Sequence, residues 1–233
     1  MSTEDIIREI GLIQISDSFF PSGLYSTSNG LESLFLQKKI STSAELVKLI
    51  SVQIEHQVGP SDCVALANTV QLAERKSIGA ILELDRTVFA MRGVRDMREA
   101  SRRSGVQLLK TIRQTLPANV VLDKYFDSLE SGTTPGMHPV SFGVCCNALG
   151  IDVKRSLLSF LYGFTVSMVG AALRLGIIQH VEGQQTIHQV KPVIADAVNA
   201  NCDKDASEMW QFSPQMEIYQ MQHGLSDSRM FIT

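Results

Sequence analysis

Residues 156–173 read SLLSFLYGFTVSMVGAAL and contain no charged side chain. The length approaches that of a membrane span. Arg155 and Arg174 bracket the run closely, and Ser, Thr and Gly dilute it. No second run of this kind exists in the chain. These features predict a central buried helix, hydrophobic nearly all round, rather than a transmembrane one. Gly163, Ser167 and Gly170 recur at helical spacing, so a neighbouring helix is expected along that thin face.

The rest of the chain agrees with an all-α, single-domain protein. It has 233 residues, 44% hydrophobic and 19% charged, a globular balance. A net charge of −3 argues against nucleic-acid affinity from bulk charge. Cys63, Cys145, Cys146 and Cys202 form no C-x-x-C pair, which points to the reducing cytoplasm. The acidic N-terminus, MSTEDIIREIG, lacks the basic region of a secretion signal. Ser2 and Asp5 predict a capped first helix with a frayed start.

Helical periodicity recurs along the chain. Leu46, Leu49, Ile50 and Ile54 share a face, and that helix is expected to end near Gly59-Pro60. Ser61 or Asp62 then caps another. His56 is expected near a helix C-terminus, a structural position rather than a metal ligand. Residues 77–114 read as one long amphipathic stretch crowded with Arg92, Arg95, Arg98, Arg102 and Arg103. That cluster is either a solvated face or a contact surface for an acidic partner. Asp123–Leu129 reads as a short helix, and 131–136 as a loop of strong breakers. Pro139 suits the first turn of a helix. Residues 184–198 form a further helix, which Pro192 either bends or begins.

Residues 13–36, IQISDSFFPSGLYSTSNGLESLFL, form a polar corner between apolar runs. A helix ends at Phe20, before Pro21. Ser28 or Asn29 then caps another, with Glu32 in its first turn. Residues 214–233 carry scattered apolar residues with no core stripe. They read as a tail that orders on a partner.

Five stretches, in order, resemble one family. Asp17-Ser18-x-x-Pro21-x-Gly23-x-Tyr25-Ser26-x-Ser28-x-Gly30-Leu31-Glu32 resembles the N-terminal signature of the urease accessory UreF family. Thr27, Leu24 and Asn29 stand where that family usually has His, Gly and Gly. Arg98-Glu99-Ala100-Ser101-Arg102-Arg103-x-Gly105 resembles a second pattern. His138-Pro139-Val140-x-Phe142-Gly143 is similar to the central His-x-Pro-Val-x-Phe-Gly motif, one residue shorter. Arg174-Leu175 with Gly183-Gln184 matches in register, although Gln179-His180 replace Gly-Gln. Pro214-x-x-Glu217-Ile218-x-x-Met221-x-His223, then Ser228-Arg229-x-Phe231, resembles the C-terminal signature. There, Gly224 and Ile232 replace a Glu and an Arg.

The resemblance implies an all-α bundle of about eight to ten helices, with a partly mobile N-terminus and tail. The domain would cover 1–213, and the 214–233 tail would dock a partner. It implies a homodimer bridging the nickel-delivering GTPase (UreG-type) and a UreD/UreH-type protein, and through them the urease apoprotein. Such a protein modulates GTP-dependent nickel insertion. The chain has no Gly-x-x-x-x-Gly-Lys-Ser/Thr loop, nucleophile–base pair or metal-spaced His/Cys set. No bound cofactor and no enzymatic activity are therefore expected, nickel being handled by the complex. The partner-contacting residues implied are Pro21, Tyr25, Ser26, Glu32, Arg98, Arg102, Arg174, Gln184, Met221, His223, Ser228, Arg229 and Phe231. The alternative is a nickel metallochaperone using His138, His180 or His223. A small helical enzyme ranks behind both.

Overall fold

The computed structural model describes residues 2–17, 19–23, 26–224 and 230–233. The order is α1 (Thr3–Ser16), α2 (Leu31–Leu36), α3 (Ser43–Gln53), a π-helical segment (Ile54–Cys63), α4 (Val64–Glu74) and α5 (Ile78–Met91). Then come α6 (Arg95–Thr115), α7 (Val120–Glu130), α8 (His138–Ala148), α9 (Val153–Arg174) and α10 (His180–Asn201). A 3-10 turn (Ala206–Glu208) and α11 (Pro214–Gly224) follow. Among the described residues there is no strand.

α1 starts on the expected cap: Ser2 Oγ accepts from Asp5 N, and the Asp5 carboxylate accepts from Ser2 N. Thr42 and Glu45 close the same reciprocal cap on α3. Asn119 caps α7 three residues earlier than expected, accepting from Val121 N and Leu122 N.

The expected helix end at Gly59-Pro60 is not there. α3 runs through the π-helical segment into α4 without a break. A proline in an α-helix strikes the carbonyl four residues back. The wider π turn accommodates Pro60. Gly59 lets the coil close, because a Cβ there would stand 2.6 Å from Ile54 O. α10 likewise continues through Pro192, which neither begins nor ends it.

Residues 77–114 are not one helix. The chain turns at Arg92, in extended conformation, between α5 and α6. Arg92 Nη2 reaches both Asp62 oxygens at 2.5 Å, tying this turn to the π-helical segment.

The helix enclosed on every side is α8 rather than α9. Each residue from His138 to Cys146 is buried. α6 approaches it at Gly105, where a Cβ would lie 2.2 Å from Gly136 O and 2.7 Å from Ser141 Oγ. The residues that lead into α8 hang from one buried carboxylate. Asp85 Oδ2 accepts from Thr134 Oγ1 (2.6 Å) and Gly136 N (2.7 Å), and Oδ1 from Met137 N (2.8 Å).

α9 is long and apolar enough to cross a membrane, and 56% of its most apolar window is buried in the fold. α10 lies along it, with Gly183 against Val169. The expected close neighbour along Gly163 and Gly170 is absent, since a Cβ at either would meet nothing within 4 Å. An adjacent face of α9 carries Leu158 (51% exposed) and Tyr162 (44%). It borders a groove against α1 at Leu12, Ile13 and Ser16. Ile6, Ile10 and Ile13 of α1 are exposed as well.

The candidate partner-binding surface

Residues 214–224 and 230–233 differ from the core-less segment expected from the composition of 214–233. Pro214–Gly224 forms α11, and Met216, Gln220, His223, Phe231 and Thr233 are buried. Of the described apolar residues there, Met216 and Phe231 are buried, Met216 against Gly30, while Ile218, Met221, Met230 and Ile232 stay exposed.

Gly30 makes that contact possible. It adopts φ 89°, and a Cβ there would lie 2.6 Å from Met216 Cε and 2.9 Å from Gln220 Cγ. The cap of α2 is therefore Gly30 itself, without a side-chain bond. Ser28, expected as a cap, still receives Glu32 N at 3.4 Å, and its hydroxyl donates to Thr233 O.

Glu32 is the hub. Its Oε2 accepts from His223 Nε2 at 2.8 Å and Phe231 N at 3.2 Å, and its Oε1 from Met230 N at 2.7 Å. Burial pushes this carboxyl up. The donors Met230 N, His223 and Phe231 N outweigh it and leave the group below the usual range. Residues 232–233 run alongside residues 26–28: Ile232 N donates to Ser26 O (2.9 Å) and Ser28 N to Thr233 O (2.9 Å). Arg174, at the end of α9, lies over the Phe231 ring at 4.3 Å and donates to Gly170 O at 3.1 Å.

Ser26, Glu32, Arg174, His223 and Phe231, drawn from three distant stretches, thus converge on one place. Pro21 is exposed nearby in sequence, and Met221 is exposed (52%) on α11. Arg102 borders the same region. It lines a groove of about 400 Å³ with Arg103, Ser22, Ser26 and Ile232. Its Nε is bound to Glu99 at 3.0 Å. Arg98 is engaged within the fold, lying 4.8 Å over Phe89 and donating to Arg92 O at 3.2 Å. Gln184 is exposed on α10, away from this cluster. Tyr25, Ser228 and Arg229 lie outside the described residues.

The three histidines do not meet. His180 is exposed at the start of α10, and His223 is held by Glu32. His138 is buried, its ring stacked on Phe160 at 5.2 Å and tilted to Phe142 at 5.8 Å. Among the described residues no three His, Cys, Asp or Glu side chains are grouped to hold a metal ion. His56 is exposed in the π-helical segment, not at a helix end.

Burial, and then the Arg92 charge, hold the His138 imidazole down to about 3. It stays neutral in the fold, whereas the unfolded imidazole takes up a proton near pH 6.5. Stability from this group is complete above pH 6.5 and falls as pH drops towards 3. The expected loss is about 1.4 kcal/mol per pH unit within that window. His138→Gln should flatten a plot of unfolding free energy against pH by close to one proton. An unchanged slope would show that the ring is not kept neutral.

Sequence reasoning missed the pairing of Asp62 with Arg92. These two side chains line a partly open cavity of about 80 Å³ with Gln53 and His138. Asp62 was legible only as a helix cap, and the unbroken π-helical segment places it instead beside the α5–α6 turn.

Comparison with known proteins bears on the whole of this architecture. The UreF family model matches residues 40–191. Urease accessory protein UreF of Trichodesmium erythraeum is 33% identical over 231 residues, 99% of each chain. Urease accessory protein UreF 1 of Brucella melitensis is 28% identical over 225 residues, covering 95% of this chain and 91% of that protein. The UreF of Bacillus sp. TB-90 is 26% identical over 227 residues. The chain therefore belongs to the UreF family of urease accessory proteins.

Proposed function

We propose that this protein is an assembly scaffold for urease maturation in the cytoplasm. It bridges the nickel-delivering accessory GTPase and a UreD/UreH-type protein. It modulates GTP-dependent nickel insertion into the urease apoprotein without hydrolysing GTP itself. The observation that carries the reading is the convergence of Ser26, Glu32, Arg174, His223 and Phe231 on one largely buried brace, beside which Met221, Met230 and Ile232 stay exposed. Each lies in a stretch resembling the family, and their geometry builds a braced edge rather than a reaction centre. A fixed edge limits the ordering cost of binding another protein. The test is co-elution of the purified chain with each accessory protein. Failure to form a complex with either, alone or together, would remove the scaffold reading.

The scaffold acts as a homodimer. Ile6, Ile10, Ile13, Leu158 and Tyr162 leave a contiguous apolar face between α1 and α9, with Gly163 and Gly170 beside it. Light scattering should give about twice 25.7 kDa. Leu158→Asp should return the mass to that of one chain with little change in melting temperature, because Leu158 is half exposed. A monomer at every concentration argues against this face as a dimer contact.

A further inference from the structure

A second surface lies outside the converging cluster. Residues 209–213 run extended along the π-helical segment. Trp210 N donates to Pro60 O (3.2 Å) and Phe212 N to His56 O (2.8 Å). Two residues apart in an extended chain, their side chains share a side. The backbone is anchored, yet Trp210 is 43% exposed and Phe212 70%. Phe212 opens onto a groove of about 730 Å³ between α3 and the start of α11. Its apolar lining includes Leu34, Ile40, Val52 and Met216. Lys39 and Lys48 stand exposed on the rim. Neither has an acidic partner among the described residues. The one carboxylate on the rim, Glu45, is committed to capping α3 and accepts from Ser41 N and Thr42 N.

We propose that this groove docks an amphipathic segment of a partner protein, with apolar side chains against Phe212 and Val52 and flanking Asp or Glu on Lys39 and Lys48. The lysines choose the occupant. A second copy of this chain related by a two-fold axis would bring lysine rim against lysine rim, which repels. Exposed aromatic anchors ringed by charge are the usual centre of a protein contact. That the partner is a urease accessory protein rests on the scaffold reading above.

Trp210 is the only tryptophan and sits beside the groove, its ring 6.2 Å from that of His56. Its fluorescence in the full chain therefore reports occupancy. The chain is titrated with the purified accessory GTPase and with the UreD/UreH-type protein, while co-elution is followed separately. The expected result is a saturable blue shift with one of them. That binding should weaken about tenfold in Lys39→Glu/Lys48→Glu and in Phe212→Ala, and fall with added salt in the parent chain. Both substitutions fall on exposed side chains, and unchanged circular dichroism confirms that each variant is folded. Co-elution without a Trp210 shift, or equal binding by the charge-reversed variant, overturns the groove and leaves the scaffold reading standing. If neither protein co-elutes, the scaffold reading fails. The groove is then judged with a synthetic helix bearing Leu on one face and Glu on the other, against its Lys counterpart. A shift with the Glu peptide alone supports the groove. A shift with both peptides, with neither, or only with a fatty acid overturns it.

Discussion

Asp85→Ala is expected to lower the stability of this protein by about 2–6 kcal/mol, about 1–3 kcal/mol for each of the two buried backbone amides left without an acceptor. The carboxylate is fully buried and takes three hydrogen bonds from the residues that precede α8. Removing it strands Gly136 N and Met137 N with no route to water. It also frees the start of the one helix that every neighbour packs around. Asp85→Asn separates the contribution of charge from that of shape. An amide presents one acceptor and one donor. Thr134 Oγ1 can turn to accept from the amide nitrogen, but a backbone N–H cannot. One of Gly136 N and Met137 N must then lose its partner, at about 1–3 kcal/mol. Chemical denaturation at neutral pH checks both variants. If Asp85→Ala costs under about 1 kcal/mol, the carboxylate does not organise the entry to α8.

The fold class was legible because it rests on periodicity, which is local. The cap at Ser2, the proline start of α8 and the amphipathic spacing along residues 77–114 are all statements about nearest neighbours along a helix. What escaped depends on contacts distant in sequence. Gly59-Pro60 looks like a terminator until α10 is seen beside it, with Asn201 Nδ2 3.1 Å from where a Cβ of Gly59 would stand. α9 looked like the centre of the molecule because its residues 156–173 carry no charge. Composition cannot say which helix is surrounded, and that helix is α8, whose serine, asparagine and histidine disguise it. Ser26, Glu32, Arg174, His223 and Phe231 could be singled out by resemblance, but their mutual geometry could not. Glu32 read as a first-turn acid suited to the dipole. Its three donors come from residues 223, 230 and 231, which no local rule connects to it.

That connection sets the expectation for Glu32→Ala. Without the carboxylate, His223 Nε2 and the Met230 and Phe231 amides lose their acceptor in a buried place. The local cost is about 1–3 kcal/mol for each group that water cannot reach. Detaching the terminal residues relieves all three at once. It would also uncover Phe231 and leave Arg174 without its aromatic partner. Separation of 230–233 from 26–32 is therefore the expected response, with global unfolding only at higher temperature. Hydrogen exchange should show the amides of Ile232 and Ser28, bonded to Ser26 O and Thr233 O in the parent, losing protection first. Truncation before Pro214 is the more severe form of the same change. It bares the Gly30 edge of α2 and should lower the melting temperature by several degrees rather than leave it intact. On the scaffold reading, both changes abolish the partner complex. Glu32→Gln should retain a fraction of it, since an amide oxygen still accepts from one side of the hub. If Glu32→Ala leaves the exchange of Ile232 and Ser28 unchanged, the carboxylate does not hold the terminal residues. If it releases them while the partner complex forms with undiminished affinity, the braced edge is a feature of stability alone.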